Sequence, residues 1–153
     1  MLHGSTGQAD DHDHYAPFQL GDLRGKNIDY WALGHIHKRE VLGTEPAIVY
    51  PGNTQGRSSK ELGEKGCYLV ELDQADTKLT FKPLHQIRFE QVMIDLKNCN
   101  DLDQFYQQVT DALTKFTQQK VIVYLTLINA TPQMAQNYHQ GELDEMIELY
   151  NEQ

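Results

Sequence analysis

The apolar residues of this 153-residue chain fall into short runs, each about as long as one β-strand. Even the longest runs, such as residues 121–125, are far below the roughly 20 apolar residues that a membrane-spanning helix needs. Turn-forming Gly, Pro, Asp and Asn residues separate the runs. The pattern therefore predicts a chain rich in β-structure with no membrane-spanning segment.

Four of these runs lie in the first part of the chain, at residues 28–33, 47–50, 66–72 and 78–84. Their apolar and aromatic content, with turn residues on both sides, predicts strands. Their regular spacing predicts one layered sheet. Residues 1–27 are polar and interrupted by glycines, which predicts a loop with little regular structure.

A second unit begins near Arg88, where alternating polar and apolar residues predict a strand. Apolar residues three and four positions apart predict an amphipathic helix over residues 101–117, with Asn100 as its cap. A β-branched strand over residues 120–128 follows, and Pro132 opens a helical segment with an acidic, amphipathic end.

This change of pattern predicts an α/β (α+β) chain with two domains, residues 1–88 and residues 89–153.

The chain carries 22 Asp and Glu against 13 Lys and Arg, which gives a formal net charge of −9. An acidic surface repels phosphates, so the charge balance argues against nucleic-acid binding by bulk charge alone. Cys67 and Cys99 lie far apart and match no metal-binding spacing, as is typical of reduced thiols in a cytoplasmic protein.

Five of the seven histidines, at positions 3, 12, 14, 35 and 37, lie in the first quarter of the chain. His35 and His37 flank one residue just after the predicted strand 28–33. In extended backbone, residues two apart point to the same side, so both imidazoles can converge on one ion or on two adjacent ions. Neutral imidazole suits Mn, Fe or Zn. The same dipeptide pattern also fits two surface or hydrogen-bonded histidines, so by itself it does not decide.

The surroundings of these histidines carry a family resemblance. The run YWALGHIHKREVL (residues 30–42), the YPGN sequence from Tyr50 and the His3-Gly4 pair resemble the calcineurin-like metallophosphoesterases. More closely, the chain is similar to their SbcD-like branch, exonucleases of DNA double-strand-break repair. In that family a histidine after a strand and a later Gly-His-x-His loop supply the last three ligands of a two-metal centre.

The resemblance implies that His3, His35 and His37 bind metal, since the separation of His3 and His35 matches the family. It implies two divalent ions, Mn in the first place with Fe or Zn as alternatives, and hydrolysis of phosphodiester bonds. The implied fold is the C-terminal half of a metallophosphoesterase β-sandwich with flanking helices, followed by a small α+β capping domain.

Family enzymes begin with Asp-x-His, Gly-Asp and Gly-Asn-His motifs, and none of these precedes His3. We therefore expect this chain to be the C-terminal portion of such an enzyme and to be inactive alone. The general acid is expected in the missing N-terminal part, so no catalytic residue is assigned here.

Other polar residues have two interpretations each. His12 and His14, in the acidic stretch DDHDHY, could bind metal or substrate, but a solvated loop that merely carries them is favoured, because loops of this polarity are common. Arg57 could pair with a substrate phosphate or be a surface arginine. Asn53 could contact substrate, but its residue type favours a turn.

The resemblance also implies partners for the full-length enzyme, namely DNA and an SbcC-like coiled-coil ATPase, with a homodimer as a further expectation and no membrane. The ATPase or a second copy could dock on the apolar residues of 143–150. Two other functions stay open. One is a phosphatase or phosphodiesterase acting on a small molecule or phosphoprotein, and the other is a non-catalytic module that binds a partner.

Overall fold

The computed structural model describes residues 1–6, 15–73, 76–116 and 120–131, together with residues 145, 147, 148 and 150. The chain divides into two compact units, Met1–Phe89 and Glu90–Gln153. This division lies one residue beyond the predicted boundary. Among the helices of these ranges, none is long and apolar enough to cross a membrane.

The first unit contains a four-stranded sheet. Its strands are β1 (Leu2–His3), β2 (Tyr30–Gly34), β3 (Glu40–Thr44) and β4 (Ala47–Tyr50), in the order β1-β2-β4-β3. β1 and β4 run parallel to β2, whereas β3 pairs antiparallel with β4. Because β1 and β2 are parallel, with His3 aligned to Gly34, the loops that follow these two strands start side by side.

The core of the first unit forms around this sheet. All four residues of β4 are buried, since β4 lies between β2 and β3. The buried cluster consists of Leu23, Leu33, Ile48 and Tyr50. Leu23 comes from a short helix, α1 (Leu20–Leu23), in the region predicted to be irregular. Each such aliphatic side chain contributes about 1.5–3 kcal/mol on burial.

A separate two-stranded sheet completes the first unit. β5 (Gly66–Leu72) and β6 (Thr77–Pro83) pair antiparallel, from Gly66 opposite Pro83 to Leu72 opposite Thr77. The prediction of one layered sheet is therefore wrong. Hydrogen bonding between strands that are distant in sequence decides which strands share a sheet, and even spacing along the chain does not record it.

The second unit combines a helix with a two-stranded sheet. β7 (Arg88–Asp95) pairs with β8 (Val121–Ile128), and α2 (Leu102–Thr114) lies between them in sequence. Alternate residues of β7 are buried and pack with α2 in a core of Val92, Ile94, Leu96, Cys99, Phe105 and Val109. The mixed α+β fold class is thus confirmed.

The helix α2 begins one residue later than its predicted cap requires. Asp101, and not Asn100, is the N-cap, because the Asp101 carboxylate accepts a 2.8 Å hydrogen bond from the backbone N–H of Gln104. The helix predicted after Pro132 lies outside the described residues except for a few near its end. Of these, Tyr150 packs against the core of the second unit, and its hydroxyl contacts that of Thr110.

Candidate metal centre

His3 and His35 come together where two parallel strands end. The imidazole of His3 lies close to the backbone of Gly34. A Cβ atom on residue 34 would be only 2.8 Å from the His3 Nδ1, closer than a side chain can approach. A side chain at position 34 would therefore displace the His3 ring from its place beside His35. Their centroids are 5.5 Å apart, and the rings are nearly perpendicular at 75°.

The backbone of His35 is constrained. Its φ of +98° is one that residues other than glycine rarely adopt. Such a conformation costs on the order of 1–3 kcal/mol and persists where surrounding contacts enforce it, often at functional sites. β2 has already ended at Gly34, so the extended backbone expected at His35 is absent.

The aromatic ring of Tyr15 covers both histidines. Its centroid is 5.6 Å from that of His3, edge-on at 81°, and 5.6 Å from that of His35, stacked at 24°. The fully buried Ser5 holds this residue, since its N–H and hydroxyl donate to the Tyr15 carbonyl oxygen at 2.9 and 3.3 Å. His3, His35 and Tyr15 thus form one aromatic cluster.

His37 contacts a different set of side chains. Its Nδ1 is 2.7 Å from Oε1 of Glu61 and 3.4 Å from Nη2 of Arg57. The His37 side chain is 51% exposed, whereas that of Glu61 is only 12% exposed. The structure therefore brings His3 and His35 together and places His37 against Glu61.

The carboxylate of Glu61 is held in its charged form. Burial alone would raise the pKa of Glu61, but the hydrogen bond with His37 and that from the Arg57 N–H outweigh burial. The nearby Asn53 amide and the Arg57 charge add to this effect, and together these groups lower the pKa to about 2. At neutral pH Glu61 is therefore an acceptor of hydrogen bonds only.

Two further polar side chains lie beside this carboxylate. Burial lowers the pKa of the Lys65 amine, the Glu61 charge opposes this shift, and the Arg39 charge adds to it. Lys65 is only 7% exposed. The Asn53 amide is near enough to favour the charged form of Glu61, yet its buried oxygen and nitrogen make no hydrogen bond of ordinary geometry.

The donor atoms of the His3–His35 pair fit a divalent transition metal, because neutral imidazole is a preferred ligand of Mn, Fe and Zn. Across residues 1–6, 15–73, 76–116 and 120–131, however, no group of three or more His, Cys, Asp or Glu side chains is placed to hold a metal ion. A complete site therefore needs ligands besides this pair. The assignment of His3, His35 and His37 as metal ligands stays a prediction.

The two predicted substrate-binding residues lie near His37. The Arg57 side chain is 71% exposed and its guanidinium is 3.6 Å from Glu61. The N–H of Asn53 donates to the carbonyl oxygen of His37 at 3.3 Å. The other two candidates, His12 and His14, lie outside the described residues.

Sequence reasoning missed Glu61 and Tyr15. Glu61 belongs to the polar stretch SSKELGEKG, which has the composition of an ordinary surface loop. The available signal was its i, i+4 spacing from Arg57. Tyr15 ends the acidic stretch DDHDHY, and nothing in that stretch indicates that its ring contacts histidines.

No protein-family model matches this sequence. The chain is 40% identical over 156 aligned residues to a protein of Bacillus subtilis (strain 168) named "Uncharacterized metallophosphoesterase YhaO". The alignment covers all of this chain and 38% of that protein. The chain therefore spans less than half the length of this relative, and the similarity supports the metallophosphoesterase superfamily.

Proposed function

We propose that this chain is part of a metal-dependent phosphoesterase in which His3, His35 and His37 bind divalent metal. The observation that carries the proposal is the His3–His35 pair, which forms where two aligned parallel strands end and where Gly34 leaves room for the His3 ring. The similarity to a metallophosphoesterase over the whole chain supports the same reaction class.

The side chains of this unit have distinct roles in the proposed reaction. His3 and His35 offer neutral imidazole nitrogens to metal, and the exposed Arg57 guanidinium can pair with two oxygens of a substrate phosphate. The Asn53 amide is buried and reaches a substrate only if its loop moves. A bound divalent ion would polarise a phosphoryl oxygen and activate water.

More specifically, we propose that the enzyme is a DNA-repair exonuclease of the SbcD-like kind. It uses two divalent ions, Mn in the first place, and acts in the cytoplasm. Because the described residues hold no complete ligand set, we propose that this chain is inactive without further ligands and a general acid from elsewhere in the protein.

The charge of the chain favours a second candidate. A formal net charge of −9 opposes the approach of a polyanion more strongly than that of a small phosphoester. The alternative substrate is therefore a small molecule or a phosphoprotein. An exonuclease would need bound metal or a partner to reverse the field near the site.

Hydrolysis assays on the complete protein that contains this chain distinguish the two candidates. With Mn²⁺ present, we expect degradation of linear double-stranded DNA, and we expect His35→Ala to abolish it. Hydrolysis of a generic aryl phosphodiester without any cleavage of DNA would contradict the exonuclease proposal and support the alternative. Activity that survives both metal chelation and His35→Ala would contradict the metal-dependent reaction itself.

Metal titration of the chain tests the ligand assignment directly. We expect weak Zn²⁺ or Mn²⁺ binding by calorimetry that His35→Ala abolishes. The matched control is His85→Ala, which removes an imidazole whose contacts are with the Lys65 backbone. Equal loss in both variants would indicate damage to the fold, and binding that survives His35→Ala would contradict the site.

We also propose the partners that the resemblance implies, namely DNA, a coiled-coil ATPase and a second copy of the chain. The proposed docking segment for the ATPase or the second copy is residues 143–150. Truncation after Gly141 is expected to abolish capture of the partner while Zn²⁺ binding is kept. Unchanged capture would exclude this segment as the docking site.

A further inference from the structure

Residues 52–65, which we name the 52–65 loop, enclose the backbone of His37. Gly52 has φ +75°, and a Cβ atom there would be 2.7 Å from the His37 carbonyl oxygen. The same oxygen accepts a 3.3 Å hydrogen bond from the N–H of Asn53, and the amine of the buried Lys65 is 3.5 Å away. The main chain of His37 is therefore fixed by this loop.

The same loop also fixes the imidazole of His37. Oε1 of Glu61 is 2.7 Å from its Nδ1, and Oε2 accepts a 2.7 Å hydrogen bond from the N–H of Arg57. Both carboxylate oxygens are thus engaged, which prevents the carboxylate from rotating. The ring has one edge against a nearly buried carboxylate, while half of its surface is exposed.

The contacts of Nδ1 determine which ring nitrogen carries the proton. A carboxylate only accepts hydrogen bonds and a guanidinium only donates them. Nδ1 is therefore protonated if Glu61 is its partner and unprotonated if Arg57 is. The Glu61 contact is 2.7 Å, whereas the Arg57 contact is 3.4 Å, near the limit of a hydrogen bond. The shorter contact is the stronger hydrogen bond, so Nδ1–H donates to Glu61.

We propose that Glu61 is a positioning residue that holds His37 as the Nδ1–H tautomer and presents Nε2 as the nitrogen that binds metal. This inference rests on the proposed function. Metal-binding histidines generally donate their second N–H to a carboxylate or carbonyl, which fixes the ring and makes the ligand nitrogen more basic. Here a residue 24 positions away supplies that carboxylate.

Nitrogen NMR of the metal-free chain tests the tautomer. With the imidazoles neutral, we expect His37 to be protonated at Nδ1, and we expect Glu61→Ala to shift it towards the Nε2–H form that free histidine favours. Glu64→Ala is the matched control, since Glu64 is an exposed carboxylate in the same loop. Wild-type His37 protonated at Nε2, or a tautomer that Glu61→Ala leaves unchanged, would overturn the proposal.

The wild-type spectrum needs no variant, so the proposal stays testable even if Glu61→Ala fails to fold. Glu61→Gln then serves as the second variant, because it keeps the volume of the side chain and removes its charge. In Glu61→Gln, too, the His37 tautomer is expected to shift towards the Nε2–H form. A mixture of tautomers is expected, because a carboxamide can either accept from Nδ1–H or donate to Nδ1.

Zn²⁺ titration of the same variants separates this inference from the proposed function. Loss of a carboxylate of this kind lowers metal affinity by about 10- to 100-fold, which we expect for Glu61→Ala and not for Glu64→Ala. Wild-type binding with equal affinity in Glu61→Ala would overturn the positioning role. A wild-type chain that binds no Zn²⁺ would instead contradict the proposed metal site, and the tautomer would still decide whether Glu61 orients His37.

Discussion

The hydroxyl of Tyr50 donates a 2.6 Å hydrogen bond to the carbonyl oxygen of Gly4, which lies 46 residues earlier in the chain. Tyr50 is the last residue of β4 and is 1% exposed, and Gly4 directly follows His3. Burial raises the pKa of the phenol above its ordinary value, so the hydroxyl stays protonated and can donate. This bond ties the end of β4 to the backbone that carries His3.

We expect Tyr50→Phe to lower the free energy of unfolding by about 1–3 kcal/mol, because the buried Gly4 carbonyl loses its donor. Tyr15→Phe is the control, since it removes a hydroxyl from an exposed tyrosine and is expected to change stability by less than about 0.5 kcal/mol. Urea denaturation measures both. Equal losses of unfolding free energy in the two variants would show that the Tyr50–Gly4 hydrogen bond stabilises the fold no more than an exposed tyrosine hydroxyl does.

Gly52 offers a second test of how the loop holds His37. Gly52 and Gly63 have nearly the same backbone, with φ of +75° and +76°, but a Cβ atom meets the His37 carbonyl at position 52 and open space at position 63. Gly63→Ala is expected to cost about 1–2 kcal/mol of unfolding free energy from left-handed strain alone. Gly52→Ala is expected to cost about 1–3 kcal/mol more, from the clash.

Thermal or urea unfolding compares these two alanine variants, and NMR of the His37 ring shows whether the loop has moved. Gly52→Ala should show both the larger loss of unfolding free energy and the changed His37 signals. A Gly63→Ala variant as unstable as Gly52→Ala would mean that the backbone conformation, and not the contact with His37, accounts for the cost.

The strands that the sequence predicted well are those with strong local patterns. Ala47–Tyr50 and Gly66–Leu72 have the bounds that were predicted, because each is a compact apolar run between turn residues. β3 (Glu40–Thr44) was missed because it is an edge strand whose exposed side chains lack the apolar character of a buried strand. β1 was missed because two residues carry no period.

The candidate site likewise contains features that the local sequence predicts and features that it does not. The His3–His35 pair follows from a motif, and Gly34 within the same motif leaves room for the His3 ring. The contact of His37 with Glu61 could not be predicted, because 24 residues separate them and only the fold of the 52–65 loop joins them. Local sequence identified the histidines but not their neighbours.

Asp101 is the cap of α2, and its removal is expected to destabilise the second unit. Asp101→Ala leaves the N–H of Gln104 without its acceptor and should cost about 0.5–2 kcal/mol. Asn100→Ala removes only exposed contacts of 3.3 and 3.4 Å and should cost less than about 0.5 kcal/mol. Urea unfolding followed by circular dichroism measures both, and the reverse order would make Asn100 the cap.

The Asp95 carboxylate gives the second unit a pH dependence. Its Oδ1 accepts hydrogen bonds from the Asn129 side chain at 2.8 Å and from the backbone N–H of Lys97 at 3.0 Å. The Asn129 bond, followed by the Lys97 bond, lowers the pKa of Asp95 below its ordinary value of 3.8, against a small opposing effect of burial. Because the folded pKa is the lower one, the stabilisation is fully present above the ordinary value and is lost as the pH falls through the folded pKa.

Asn129→Gly removes the stronger of these two bonds and still accommodates the φ of +57° at position 129. We therefore expect the pKa of Asp95 to rise towards 3.8 in this variant, so that the stability lost on acidification becomes smaller and the loss ends at a higher pH. Asn98→Ala, at an exposed asparagine that is not among the causes of the Asp95 shift, should leave the titration unchanged. NMR titration of the Asp95 carboxyl carbon measures the pKa in all three proteins. A wild-type Asp95 that titrates at its ordinary value would contradict the role assigned to Asn129, as would a pKa that does not respond to Asn129→Gly.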